Sequence, residues 1–255
     1  GTPFISKQDF RVPVHIGKGH VDHETLVLNI ANPTAGFFDG DRVDIDVSVN
    51  DGAKRCLSTP AASRGYPTRS GKPAANYQKF SVGENALLEW NPEPFIPHAG
   101  ASYHQSTEIR LHPAASLLFL EWLAPGRVAM GEAFLYQNLR WELDLWSSGK
   151  LSARERYDLR PGNHSLEALR VKFGTAHYLS IYAAGAFVEH WPDEALDAMN
   201  GESTYLGHGP LAGNVRVIRA LCRDSITARS LAASMRAALY EAAGVNAPAL
   251  GRIPS

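Results

Sequence analysis

Four acids, Asp39, Asp41, Asp44 and Asp46, crowd one short stretch, and carboxylates this close together invite a metal reading. A calcium loop needs glycine at its sixth position and an acid at its twelfth. Counted from Asp39, those places hold Asp44 and Asn50, so the match fails. Asp44 and Asp46 alternate with aliphatic residues, which fits a solvated sheet face. Asp39-Gly40-Asp41 reads as a turn whose side chains bond local amides. His98 and His104, and His20 and His23, lack the H-E-x-x-H or paired-cysteine pattern of zinc sites. Scattered imidazoles and carboxylates suit either weak ligation of nickel or another borderline metal, or ordinary hydrogen bonding in polar loops. Glu89, Glu93, Glu121 and Glu132 also offer paired carboxylates, the equipment of glycoside hydrolysis. Trp90, Trp122, Trp141 and Trp146 would then be sugar platforms, or equally core pillars.

Other chemistries find no footing. Gly17-Lys18-Gly19-His20 lacks the spacing and the Ser or Thr of a phosphate loop, and no G-x-S-x-G elbow occurs. With 25 basic against 26 acidic residues and a net charge of -1, nothing favours non-specific binding to nucleic acid or an anionic membrane. The apolar runs Leu117–Leu120 and Ala183–Val188 are too short to cross a bilayer. Cys56 and Cys222, far apart and outside any C-x-x-C pair, read as buried thiols of a reduced, cytosolic chain. The chain opens at Gly1 without a Met, as a processed or shortened form would.

The elements that must hold these side chains are predominantly strands. Val43, Ile45, Val47 and Val49 alternate with polar residues over Arg42–Val49, which puts the aliphatics on one face. Asn50-Asp51-Gly52 turns the chain toward a return strand around Leu57. The layout recurs in Tyr77–Val82, Gly83-Glu84-Asn85 and Ala86–Trp90, then in Thr107–Leu111, His112-Pro113 and Leu117–Trp122. Both later copies contain Leu-Glu-Trp. A fourth copy runs Leu139–Trp146, Ser147-Ser148-Gly149 and Lys150–Leu159, with Arg140, Glu142 and Asp144 set to face Arg154 and Arg156. No lone hairpin buries its apolar face, so the spacing predicts a mainly β fold of layered antiparallel hairpins, either an irregular sandwich or a helical β stack. Two helices follow near the C-terminus: Asp193–Asn200 after Pro192, and Ser225–Ala243. The second is capped by Asp224 or Ser225, ended by Gly244 and striped by Leu231, Met235, Leu239 and Ala242. A strand around Val215–Val217 precedes it.

The run Asn32-Pro33-Thr34-Ala35-Gly36-Phe37-Phe38-Asp39-Gly40-Asp41 resembles the urease accessory protein family UreD/UreH. So do the Gly52-Ala53 turn, the block Leu57-Ser58-Thr59-Pro60-Ala61-Ala62-Ser63, the segment Leu88-Glu89-Trp90-Asn91-Pro92-Glu93, and Gly126-Arg127 followed by Gly131-Glu132 and Phe134. Arg252-Ile253 is similar to the family's usual ending. The blocks occur in family order over nearly the whole chain. Thr34-Ala35 stand where Pro-Gly is usual, and Ser63-Arg64-Gly65-Tyr66-Pro67 departs from a Lys/Arg-x-Tyr-Arg stretch.

The resemblance implies a single domain over residues 1–255: β-rich over 1–190, helix-containing over 191–245, with an irregular tail over 246–255. It implies a cytoplasmic, non-enzymatic metallochaperone scaffold for nickel insertion into apo-urease. Its implied partners are a UreF-like accessory protein, a UreG-like GTPase and the urease apoprotein, and a homodimer within that accessory complex is compatible with it. No cofactor is held tightly; Ni2+ passes transiently through an internal channel. Asp39, Asp41, Glu89, Glu93, His98 and Glu132 are the candidate channel or mouth residues. A conduit must release its cation, so scattered oxygen and imidazole groups suit it better than a thiolate cage. The alternative from another class is a carbohydrate-active or carbohydrate-binding β protein.

Overall fold

The computed structural model describes residues 2–34, 36–161 and 176–250. Its main strands are Thr25–Ala31 (β1), Arg42–Val49 (β2), Lys54–Ser58 (β3), Ala74–Val82 (β4), Leu87–Asn91 (β5), Ser102–Leu111 (β6), Ser116–Leu123 (β7), Asn138–Ser147 (β8), Lys150–Leu159 (β9), His177–Ala184 (β10), Thr204–Pro210 (β11) and Val215–Cys222 (β12). The helices are Ala186–Glu189 (α1), Asp193–Asp197 (α2) and Ser225–Ala243 (α3). The chain winds as a β stack: successive long strands join one sheet, the strands after each turn join the facing sheet, and helices gather toward the C-terminus.

The mainly β stack with C-terminal helices is as the sequence predicts, but the pairing differs from the antiparallel hairpins expected. β2 and β3 are not partners. β2 lies parallel to β4, β4 to β6 and β6 to β8, while β1, β3, β5 and β7 form a second parallel series. Turn length is the reason. Four residues separate β2 from β3, β4 from β5 and β6 from β7, enough to swing the second strand across to the other sheet. The Ser148-Gly149 turn, by contrast, is a two-residue loop with both residues left-handed, at φ 53° and 71°. That geometry folds β9 back antiparallel on β8. The expected charge ladder forms there, with Glu142 opposite Arg156 and Asp144 opposite Arg154.

The four-residue arcs stack on one another. Gly52 N–H donates to Glu84 O at 2.8 Å, Gly83 N–H to Val49 O at 2.9 Å and His112 N–H to Val82 O at 2.9 Å. A Cβ at position 83 would come within 2.3 Å of Asp51 Oδ1 and 2.9 Å of its backbone N, so glycine permits this approach. Val47, Phe80, Ile109 and Leu145 line up abreast in one sheet. Leu28, Leu57, Trp90, Phe119, Tyr182 and Val217 do so in the facing one. These two ranks of apolar side chains meet as one core cluster between the sheets.

The outer face of the larger sheet is covered by α3. Asp224 caps it by accepting from Thr227 N–H at 2.7 Å, and Gly244 at φ 65° ends it. Ala228, Leu231, Met235, Leu239 and Tyr240 are its buried residues, close to the expected stripe. The α2 helix closes after Asp197, three residues before the expected end, and α1 was not anticipated. Cys56 and Cys222 are free and buried. Arg252-Ile253 lie outside the described residues. No helix among the described residues is long and apolar enough to cross a membrane.

Candidate functional site: a polar seam between the sheets

Residues abreast on paired strands point to the same face, so a polar row in a sheet is visible from its register. Asn76, Gln105, Trp141 and Tyr157 form one such row across β4, β6, β8 and β9, and Gln78, Thr107, Leu143 and Glu155 form the next. Facing them, Glu121, Ser180 and Arg219 stand abreast on β7, β10 and β12. Together they make a polar seam that crosses the strands through the core, between the cluster around Phe80 and Phe119 and a second around Phe95 and Tyr103.

Burying so many polar groups is unfavourable unless they are bonded, and only part of the seam is. Trp141 Nε1–H donates to Glu121 Oε1 at 2.8 Å, Tyr103 O–H to Gln105 Oε1 at 3.2 Å, and Thr107 O–H to Gln78 Oε1 at 3.2 Å. Asn76 Oδ1, Ser180 Oγ and the Tyr182 hydroxyl are buried without a hydrogen-bond partner. Glu121 is 4% exposed, and desolvation pushes its carboxyl up to about 7 against the opposing bond from Trp141. A cavity of ≈ 350 Å³ reaches Asn76, Gln78, Gln105 and Glu121 at its inner end and Thr59, Pro60 and Glu93 at its outer end. At the far end of the seam, Tyr157 O–H donates to Glu155 Oε2 at 2.8 Å. The Tyr178 hydroxyl therefore donates to Tyr157 across 3.0 Å, and Arg219 Nη2 bonds Glu155 Oε1.

The six residues nominated from the sequence fall in different places. Glu89, 1% exposed, lies on the opposite face of the sheet under α3. Its carboxylate accepts from Arg236 Nη2 at 2.9 Å, Arg236 Nε at 2.5 Å and the Tyr240 hydroxyl at 2.7 Å. Glu93 borders the cavity and accepts two bonds from Arg229, at 2.7 and 2.6 Å. Asp39 accepts from the Arg69 and Ser70 amides and the Ser70 hydroxyl, bonds that hold its carboxyl below the usual range. Asp41 accepts from Phe38 N–H at 2.8 Å, closing its own turn.

His98 and Glu132 are brought together with Arg127. Glu132 accepts from Arg127 and from Ala99 N–H, which lowers its carboxyl. The His98 ring is 6% exposed, sits edge-on to Tyr66 at 4.9 Å, and has a buried Nε2 without a partner. Burial and then Arg127 hold its imidazole below the usual range. His104 is elsewhere, 3.1 Å from Glu142 on the outer face of its sheet. No group of three or more His, Cys, Asp or Glu that could hold a metal occurs among the described residues. Sequence reading named Glu121 only as one carboxylate among four and passed over Gln78, Gln105, Ser180, Glu155 and Arg219. Polar residues on the aliphatic side of an alternating strand were the available signal.

Comparison with known proteins fixes the lineage of this scaffold. The family model described as "UreD urease accessory protein" matches residues 1–255, the full length of the chain. The chain belongs to the UreD family. It is 32% identical over 248 residues to the urease accessory protein UreD of Opitutus terrae, covering 95% of this chain and 90% of that protein. It is also 35% identical over 185 residues to the protein of the same name from Deinococcus radiodurans, covering 72% of this chain and 63% of the other. UreD proteins are accessory, non-catalytic factors of urease maturation, and that is the role of this chain. The carbohydrate alternative finds no support: Glu89 and Glu93 are occupied by arginines, and Trp90, Trp122 and Trp141 are buried in the core.

Proposed function

We propose that this UreD chain conveys Ni2+, as cargo, through the polar seam to apo-urease from a complex of UreF-like and UreG-like proteins in the cytoplasm. The observation that carries the reading is the row of buried polar groups that continues from the 350 Å³ cavity past Glu121 to Glu155. Amide, hydroxyl and single carboxylate oxygens arranged in succession bind a divalent cation weakly and hand it on, whereas a closed cage would retain it. Glu93 supports a mouth at the open end of the cavity. Asp39, Asp41, His98 and Glu132 are proposed as polar groups of a partner-facing mouth, and Glu89 acts on passage through the seating of α3. A homodimer within the larger accessory complex accords with this arrangement.

The test is co-expression with the cognate UreF-like and UreG-like proteins and the urease subunits. Glu121→Gln keeps shape and hydrogen bonding but removes the anionic ligand. It is expected to co-purify with its partners and to cut nickel-dependent ureolysis at least tenfold. Full ureolysis with this variant, at equal protein levels, would remove the seam from the delivery route.

A further inference from the structure

Among the described residues, the Arg236–Glu89 and Arg219–Glu155 pairs each join distant parts of the chain, and they are built differently. Arg236, on α3, is the more fully bonded: Nε and Nη2 both reach Glu89, Nη2 also reaches Pro248 O at 2.8 Å, and Tyr240 supports the same carboxylate. Arg219 engages Glu155 through Nη2, while its Nε is buried without a hydrogen-bond partner. The Arg236 pair is 16% and 1% exposed at Arg236 and Glu89; the other is 42% exposed at Arg219 and 13% at Glu155. Arg219 also lines an open surface pocket with Tyr178, Gly207 and His208. The guanidinium therefore stands where the seam meets solvent, abreast of Ser180 and Glu121.

We infer that Arg219 is a removable plug: bonded to Glu155, it keeps the far end of the seam closed to divalent cations, and its withdrawal into the surface pocket frees Glu155 to bind one. The inference rests on the passage reading for its purpose but not for its test. A carboxylate paired with a guanidinium has its negative charge offset, and the fixed positive charge repels an approaching ion. The single bond of Arg219 makes withdrawal easier than it would be for Arg236, where three hydrogen bonds would have to break.

The purified full chain can be titrated with Ni2+ alone by equilibrium dialysis. Arg219→Gln is expected to bind one Ni2+ at least tenfold more tightly than the parent protein. Arg219→Lys, which keeps the positive charge, should stay within threefold of the parent. Adding Glu155→Gln to Arg219→Gln should abolish the gain, which assigns the new site to Glu155. Unchanged nickel affinity in a folded Arg219→Gln protein overturns the inference, as does a gain that survives Glu155→Gln. Arg219→Met, which keeps the aliphatic stem, serves if the glutamine variant does not fold. Loss of native near-ultraviolet circular dichroism in both would make Arg219 a structural pillar and also overturn the inference. The titration involves no urease, so its failure is separate from that of the passage reading, which is judged by ureolysis with Glu121→Gln.

Discussion

The tripeptide Leu-Glu-Trp occurs twice, at Leu88-Glu89-Trp90 and Leu120-Glu121-Trp122, in two strands that lie side by side. Leu118 pairs with Glu89 and Phe119 with Trp90, so the second copy sits three residues further along its strand. An odd offset reverses every side chain. Glu89 therefore points out toward α3 and meets Arg236, while Trp90 packs between the sheets. Glu121 points in toward the seam, and Trp122 packs outward with the α3 cluster and donates to His177. One carboxylate became an anchor paired with an arginine, and its twin an interior carboxyl without a cationic partner among the described residues. Identical local sequence carries no role; register with a neighbouring coil assigns it.

The contrast is broken most severely at Glu89. Replacing it with alanine leaves the Arg236 guanidinium buried and uncompensated, an expected loss of about 3–5 kcal/mol in urea unfolding. Glu89→Leu with Arg236→Met should recover most of that loss, because a well-packed apolar pair substitutes for a buried ionic one. A loss under 1 kcal/mol for Glu89→Ala would mean that α3 does not depend on this pair.

Glu121 should behave in the opposite way. Its folded carboxyl is raised to about 7 from an ordinary 4.5, so the folded state holds a proton that the unfolded state releases. Stability from this group is present below pH 4.5 and is lost as pH rises toward 7, by about 1.4 kcal/mol per unit. Glu121→Gln removes that slope. Its stability relative to the parent should rise by roughly 3 kcal/mol between pH 4.5 and 7, even as ureolysis falls. His177 tilts the other way: burial lowers its imidazole to about 4, so its contribution is lost as pH falls from 6.5 through 4. In the parent protein the two slopes oppose each other between about pH 4.5 and 6.5. The glutamine variant should uncover the histidine's slope, and parallel stability–pH curves for the two proteins would contradict the assignment.

The smallest effect belongs to Glu93 and Arg229. This pair is bidentate like Glu89 and Arg236, though through Nη1 and Nη2 rather than Nε and Nη2, and Arg229 is 60% exposed at the side chain. Arg229→Ala should cost under about 1 kcal/mol, and moderate salt should erase the difference. A larger loss would show that the α3 docking energy lies at its exposed end.

Much of this arrangement was legible along the chain. The alternation of Val43, Ile45, Val47 and Val49 marks an amphipathic strand, and Asp224 and Gly244 mark both ends of α3, because those signals are local. Turn residues at Gly52 and Gly83 were equally visible, yet whether a turn makes a hairpin or an arc depends on how many residues remain once strand ends are set. β10 escaped notice because burial on both faces removes alternation from Tyr178–Ala184. The seam was the least legible part. Gln78 and Thr107 carry no motif, and their meaning appears only when β4 lies against β6 and Glu121 lies opposite.

Because the seam runs perpendicular to the strands, its reach is counted in coils. From β2 to β9 the smaller sheet has five strands, spanning roughly 19 Å at the usual 4.8 Å between neighbours. A fold of this kind cannot stretch its interior track gradually. It lengthens or shortens by whole windings, so the gap between docked neighbours is measured in steps of one strand.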